Sequence, residues 1–107
     1  MSVMVIACYR PKPGKDKALL ELMKTHLPIL KGEGLVGDGS SLCGLAKDGT
    51  VVEIFSWKSQ EAIDSAHENP KVQAMWGEYS KVCDYVPVAD VEGAKDLFTA
   101  LAPLELG

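Results

Sequence analysis

Residues 51–76 have the sequence VVEIFSWKSQEAIDSAHENPKVQAMW, which predicts one strand followed by two helices. Side chains alternate along the strand, so one face carries Val51, Glu53, Phe55 and Trp57. Glu53 is therefore a carboxylate in an otherwise apolar row. Ser59 is the predicted N-cap of a helix over 60–68. Asn69-Pro70 then ends that helix and starts the next one, because proline is tolerated in a first turn while the residue before it avoids helical angles.

The chain before this stretch predicts a strand, a helix and a hairpin. Residues 3–10 are a β-branched run, and one face of that strand includes Tyr9. Residues 15–31 place leucines, Met23 and His26 at helical spacing, and Pro28 is expected to disturb the last turn. The turn Asp48-Gly49 is a hairpin signal that joins strands over 41–47 and 50–57.

The chain after this stretch predicts a short strand over 84–88 and a tail helix over 93–101. The order βαββααβ plus a tail helix is typical of an α+β, ferredoxin-like sandwich with an antiparallel four-stranded sheet. We expect a single domain over 1–107, with its core in about 3–90. The strands are apolar on both faces, so we expect a second copy to cover the face that has no helices, in a homodimer.

Composition and charge exclude several classes of protein. The chain is 47% hydrophobic and 24% charged, which argues against disorder. The net charge is -4 and Arg10 is the one arginine, so no nucleic acid partner is expected. The sequence has no apolar run long enough for a membrane span, and the apolar stretch at its start is too short for a signal segment. We therefore expect no membrane partner and a cytoplasmic location. The three cysteines, Cys8, Cys43 and Cys83, are far apart and include no C-x-x-C pair, which favours reduced thiols over disulfides or a metal site.

The pattern in 48–76 resembles the antibiotic biosynthesis monooxygenase (ABM) family of the dimeric α+β barrel superfamily. The matching features are the turn at Asp48 to Thr50, a strand ending in Trp57, the helix start Ser59-Gln60-Glu61-Ala62, the pair Ala66-His67, and Pro70-x-Val72. With the first strand and helix, the resemblance covers about residues 3–90. It implies a dimeric α+β barrel.

Members of this family include cofactor-free oxygenases, quinol oxygenases, heme-degrading enzymes and proteins with no known reaction. The heme-degrading relatives use an asparagine on the first strand, a later tryptophan and a heme-ligating histidine. This chain departs from them at all three positions, since residues 7–9 contain no asparagine and the other two positions fall near Ala66 and Trp76. The resemblance therefore implies a small aromatic or quinone-like ligand between sheet and helices, with cofactor-free oxygenation and no heme or other cofactor.

Three residues are candidates for catalysis: His26, Glu53 and His67. If Glu53 points toward the helices, either histidine could pair with it and act as a general base on a phenolic substrate. Each also has a structural interpretation. His26 could be a core histidine bonded to one neighbour, His67 could stabilise a helix C-terminus, and Glu53 could face solvent. An iron site built from two histidines and a carboxylate is disfavoured, because nothing in the spacing fixes its geometry.

The resemblance also implies aromatic side chains around the substrate, and the candidates for this role are Tyr9, Phe55, Trp76 and Tyr85. The alternative to an oxygenase is a non-catalytic ligand-binding or stress-associated dimer on the same fold. The two hypotheses differ in whether His26, Glu53 and His67 converge on one cavity.

Overall fold

A computed structural model describes residues 1–106 as one α+β unit. Its elements in chain order are β1 (Val3–Pro11), α1 (Asp16–Gly32), β2 (Leu42–Leu45), β3 (Val51–Trp57), α2 (Gln60–Ala66), α3 (Pro70–Val82), β4 (Cys83–Val86), a turn of 3₁₀ helix (Val88–Asp90) and β5 (Ala102–Pro103). The α+β class predicted from the sequence is confirmed.

The sheet is antiparallel throughout, with strand order β4-β1-β3-β2-β5. The order of the first four strands is consistent with a ferredoxin-like fold. The sheet nevertheless has five strands rather than the predicted four, because the C-terminal segment adds a two-residue strand beside β2.

The helix boundaries follow from local capping. The Ser59 side chain accepts a hydrogen bond from the backbone N–H of Ala62 at 3.1 Å and so caps α2 as predicted. The Asn69 side chain accepts hydrogen bonds from two N–H groups in the first turn of α3, which begins at Pro70. Pro28 lies inside α1, yet the helix continues to Gly32. The predicted change from one helix to the next at Asn69-Pro70 is confirmed.

The main core lies between the helices and one face of the sheet, here called the inner face. Its buried residues include Leu19, Met23 and Leu30 of α1, Val72, Met75 and Tyr79 of α3, and Tyr9, Val51, Phe55 and Trp57 of the sheet. A smaller cluster on the outer face groups Cys8 and Val52 with Val91 of the C-terminal segment. The chain after β4 therefore covers part of the face that carries no helices.

The predicted tail helix over 93–101 is wrong, because those residues form turns and bends. Gly93 has a positive φ of 91°. Of the three side chains that suggested the helix, Leu97 and Phe98 are 91% and 85% exposed, and only Leu101 packs against the outer-face cluster. A helix this short is stable only when one face packs against the protein. The segment instead extends to the sheet edge, where the Leu104 N–H donates to the Cys43 carbonyl at 3.0 Å.

Among residues 1–106, no helix combines the length and apolar character needed to cross a bilayer.

Candidate functional site

An open cavity of about 360 Å³ lies between the inner face of the sheet and the three helices, and it is called the aromatic cavity below. The sheet contributes Val5, Ala7, Tyr9, Phe55, Trp57 and Tyr85 to its walls. The helical side contributes His26, Ile63, His67, Trp76 and Tyr79. Aromatic rings and imidazoles thus form most of the lining, which suits a small, planar and largely apolar molecule.

Glu53 lies directly behind this wall and is fully buried, at 0% exposure. The Tyr9 hydroxyl donates a hydrogen bond to Glu53 Oε1 at 2.7 Å. His26 Nδ1 lies 3.0 Å from the same oxygen, off the ideal line for a hydrogen bond, and has no other partner among residues 1–106. The three side chains form one buried network at the cavity wall.

The sequence positions this network from three elements. Residue 53 pairs across the sheet with Ala7 of β1 and Cys43 of β2, two small side chains that leave room for a carboxylate. The buried stripe of α1 that contains Met23 carries His26 down onto the sheet. The predicted apolar row on β3 is therefore the inner face, and Glu53 points toward the helices.

The charges of the network follow from its contacts. Burial raises the pKa of the Glu53 carboxyl, but the contacts with His26 and the hydrogen bond from Tyr9 outweigh burial, and the net shift lowers this pKa. Burial and the nearby Glu53 charge raise the pKa of the Tyr9 hydroxyl. Glu53 is therefore ionised near neutral pH, and Tyr9 keeps its proton and serves as a donor.

This arrangement can supply a base to the aromatic cavity. With Nδ1 of His26 beside the carboxylate, Nε2 is the ring nitrogen left to accept a proton from a bound molecule. The imidazole is also held by edge-on contacts with Phe55 and Tyr79, whose ring centroids lie 5.1 Å and 5.7 Å away. A fixed ring with one free nitrogen is what general-base catalysis requires.

The structure brings both predicted histidines to the same cavity but pairs only one of them with Glu53. His67 follows the last residue of α2 and its ring lies 5.3 Å from that of Trp76, so it belongs to the helical wall. The three catalytic candidates thus converge only in part, since His26 and His67 line the cavity and Glu53 stands behind His26. The four binding candidates, Tyr9, Phe55, Trp76 and Tyr85, all line it.

Tyr79 also lines the cavity, although it is not among the candidates predicted from the sequence. Its ring stacks on Tyr9 with centroids 5.2 Å apart, and its buried hydroxyl has no hydrogen-bond partner among residues 1–106. The available signal was its spacing of three residues from Trp76, which puts both rings on one face of α3.

Within residues 1–106, no group of three or more His, Cys, Asp or Glu side chains is arranged to hold a metal ion. Comparison of the chain with protein-family models, with curated proteins and with solved structures found no match.

Proposed function

We propose that this protein binds a small planar aromatic molecule with an ionisable hydroxyl in the aromatic cavity, and that His26 removes the hydroxyl proton. The observation that carries this proposal is the 3.0 Å contact between His26 Nδ1 and a buried carboxylate at the wall of an aromatic-lined cavity. Glu53 is the positioning residue, and Tyr9 holds the carboxylate in place with its hydrogen bond.

The proposed chemistry begins with transfer of the hydroxyl proton to Nε2 of His26. The adjacent Glu53 carboxylate stabilises the imidazolium that forms. The resulting phenolate can reduce O₂ without a cofactor, as the resemblance to the ABM family implies. In the overall step a phenol and O₂ give a quinone and water, so one oxygen atom enters the ring and the other leaves as water. The protein's part is to bind, to deprotonate and to exclude water.

The proton-transfer step can be tested with 4-nitrophenol, whose phenolate is yellow, while quenching of Trp57 and Trp76 fluorescence reports binding. We expect the wild-type protein to lower the apparent pKa of bound 4-nitrophenol by about one unit, a tenfold change. Glu53→Gln should bind 4-nitrophenol but lose this shift, and Glu61→Gln, a change at an exposed carboxylate, should behave as wild type. Nitrobenzene, which has no hydroxyl, controls for binding alone.

Oxygen chemistry needs a separate assay, because binding and deprotonation do not establish turnover. With 1-naphthol as the probe, we expect one O₂ consumed for each 1,4-naphthoquinone formed, and a large loss of turnover in His26→Gln. Phenolate formation without O₂ uptake would instead make the protein a non-catalytic ligand-binding protein. If neither 4-nitrophenol nor 1-naphthol binds, the proposed function fails.

We also propose that two copies pair through the outer face of the sheet to form a dimeric α+β barrel. Ile6, Ile54 and Leu42 lie side by side across three neighbouring strands of this face, and Ile6 and Leu42 are 53% and 73% exposed. An apolar row of this kind favours contact with a second apolar face. Ile6→Glu should yield a monomer in light scattering, while Ala18→Glu, on the exposed side of α1, should not. A wild-type monomer at all concentrations would contradict the proposal.

The cysteines support the proposal of a cytoplasmic protein. Cys8, Cys43 and Cys83 are all free thiols. Burial raises the pKa of each thiol, to about 11 for Cys83, so all three stay protonated at neutral pH. They serve as small apolar side chains, as in proteins of reducing compartments.

A further inference from the structure

A second cavity, of about 280 Å³, lies on the other side of Glu53 and is called the polar cavity below. It is bounded by α1, by the residues around β2 and by the C-terminal segment 104–106. Half of its twelve lining residues are polar or charged: Lys24, Lys31, Ser40, Ser41, Glu53 and Glu105. It shares no lining residue with the aromatic cavity, and Glu53 belongs to the polar cavity alone.

The two carboxylate oxygens of Glu53 differ in their hydrogen-bond partners. Oε1 accepts the Tyr9 hydroxyl and faces His26, whereas Oε2 is buried and has no partner among residues 1–106 within good hydrogen-bond geometry. The Ser41 hydroxyl is near enough to the carboxyl to lower its pKa. An unpaired buried carboxylate oxygen is costly, and such groups in folded proteins nearly always have a protein or water partner. The polar cavity, which Glu53 helps to line, is large enough for several waters and offers hydroxyl and ammonium groups to hold them.

We propose that the polar cavity is a water site, that one of its waters donates a hydrogen bond to Glu53 Oε2, and that this water keeps Glu53 ionised behind His26. Ser41 and Cys43 form the part of the wall nearest β2, and the Ser41 hydroxyl lies 3.7 Å from the Cys43 sulfur. The C-terminal segment lines the cavity next to β2 through Leu104 and Leu106, and the Leu104 N–H bonds to the Cys43 carbonyl. The carboxylate is thus hydrated from one cavity while it orients a base toward the other.

Several titratable groups surround Glu53 and bear on its charge. His26 approaches from α1 and Tyr9 from β1, and Cys43 is its cross-strand neighbour on β2. Tyr79 approaches from α3, and the Glu53 charge contributes to the raised pKa of its hydroxyl. Lys24, Lys31 and Glu105 line the same cavity. His26, Tyr9 and Ser41 lower the pKa of the Glu53 carboxyl, and a water donating to Oε2 acts in the same direction.

The consequence for catalysis rests on the proposed function, whereas the hydration of Oε2 does not. If the polar cavity were filled with apolar atoms, the carboxylate would lose its partner at Oε2, and its neutral form would be favoured. His26 would then face a weaker anion and become a weaker base. The aromatic cavity itself would be unchanged, because none of its walls is touched.

The test combines a crystal structure that resolves ordered waters with an NMR titration of the Glu53 carboxyl carbon. We expect a water within hydrogen-bond distance of Oε2 in the wild-type protein. Cys43→Leu should displace it and move the carboxyl midpoint to higher pH, and Ser41→Leu provides a second filling variant. The Ser41 hydroxyl itself lowers the pKa of Glu53, so Ser41→Ala, which removes the hydroxyl without filling the cavity, is the reference for Ser41→Leu. Ser80→Leu, on an exposed position of α3, is the matched control and should leave the midpoint in place.

Two results would overturn the proposal: no water at Oε2 in the wild-type crystal, or a midpoint that does not change between the wild type and Cys43→Leu, nor between Ser41→Ala and Ser41→Leu. If neither variant folds, the wild-type crystal alone decides. In the same variants we expect unchanged nitrobenzene binding and an about tenfold loss of the preference for bound nitrophenolate. If 4-nitrophenol does not bind the wild type, the proposed function fails while the carboxyl titration still tests the water site.

Discussion

Two stacked tyrosines allow the buried network to be tested with a matched pair of variants. Tyr9 and Tyr79 are both buried, at 2% and 1% exposure, and their rings lie 5.2 Å apart. They differ in their hydroxyl groups: that of Tyr9 donates to Glu53 at 2.7 Å, and that of Tyr79 is buried without a partner among residues 1–106. Replacement by phenylalanine removes one oxygen in each case and keeps the ring.

The expected magnitudes follow from these contacts. A hydrogen bond to a charged group contributes about 1.5–3 kcal/mol to stability. Tyr9→Phe should therefore lower the free energy of unfolding by about 2 kcal/mol, roughly a thirtyfold change in the unfolding equilibrium. Tyr79→Phe removes a hydroxyl that is already desolvated, so it should be neutral or stabilise the protein by up to about 1 kcal/mol.

Guanidinium unfolding followed by tryptophan fluorescence measures both changes, provided that the denaturant slope stays constant. A double-mutant cycle with Glu53→Gln then isolates the contact, and Tyr9→Phe should cost less in the Glu53→Gln background than in the wild type. Equal losses for Tyr9→Phe and Tyr79→Phe would refute the reasoning, because they would show that the bond to the carboxylate makes no particular contribution.

Three further outcomes are expected. Burial raises the pKa of all three tyrosines, that of Tyr85 to about 12. The free energy of unfolding should therefore fall as pH rises above 10, because the unfolded chain loses its tyrosine protons first. A tyrosinate absorbance of the native protein with a midpoint at pH 10 would contradict this. The pKa of Glu53 is lowered from its ordinary value of 4.5, so the unfolded chain takes up the proton first as pH falls; stability should decrease below about pH 4.5, and less so in Glu53→Gln. A Cβ at Gly44 would lie 2.8 Å from the Leu101 Cβ, so Gly44→Ala should displace the C-terminal segment. We expect it to lower the free energy of unfolding by about 1–3 kcal/mol and to speed proteolysis of that segment. Gly37→Ala, whose new Cβ would meet open space, should do neither.

The fold was predictable where short-range signals fix it. Ser59 and the Asn69-Pro70 pair cap two helices through contacts within three residues, and these contacts can be read from the sequence. The tail was not predictable, because its conformation depends on a distant partner. The Leu104 N–H bonds to Cys43, a residue 61 positions earlier, and no local pattern in 93–101 reveals that edge.

The candidate site was predictable in its residues but not in its pairing. Alternation along β3 marked Glu53 as a carboxylate in an apolar row, and both histidines were identified as partners for it. The choice of His26 over His67 depends on how α1 lies across the sheet, which strand periodicity does not determine. The Tyr9 bond was missed for the same reason, since it joins side chains 44 residues apart on neighbouring strands.

Stability alone gives a poor account of a carboxylate at position 53. Replacing a buried ion pair by apolar residues of similar volume is often neutral or stabilising, so a leucine at 53 facing a phenylalanine at 26 would serve the core at least as well. The remaining neighbours of the network are already those of an ordinary core, since Phe55 and Tyr79 pack their rings against the imidazole. What the apolar pair would lose is the orientation of His26 and the free nitrogen at the cavity wall. Tyr9 would lose its acceptor in such a core, so the comparison also needs Tyr9→Phe. A Glu53→Leu/His26→Phe/Tyr9→Phe triple variant should therefore be about as stable as the wild type, and yet unable to shift the ionisation of bound 4-nitrophenol. A triple variant that is much less stable than the wild type would assign the network a structural role instead.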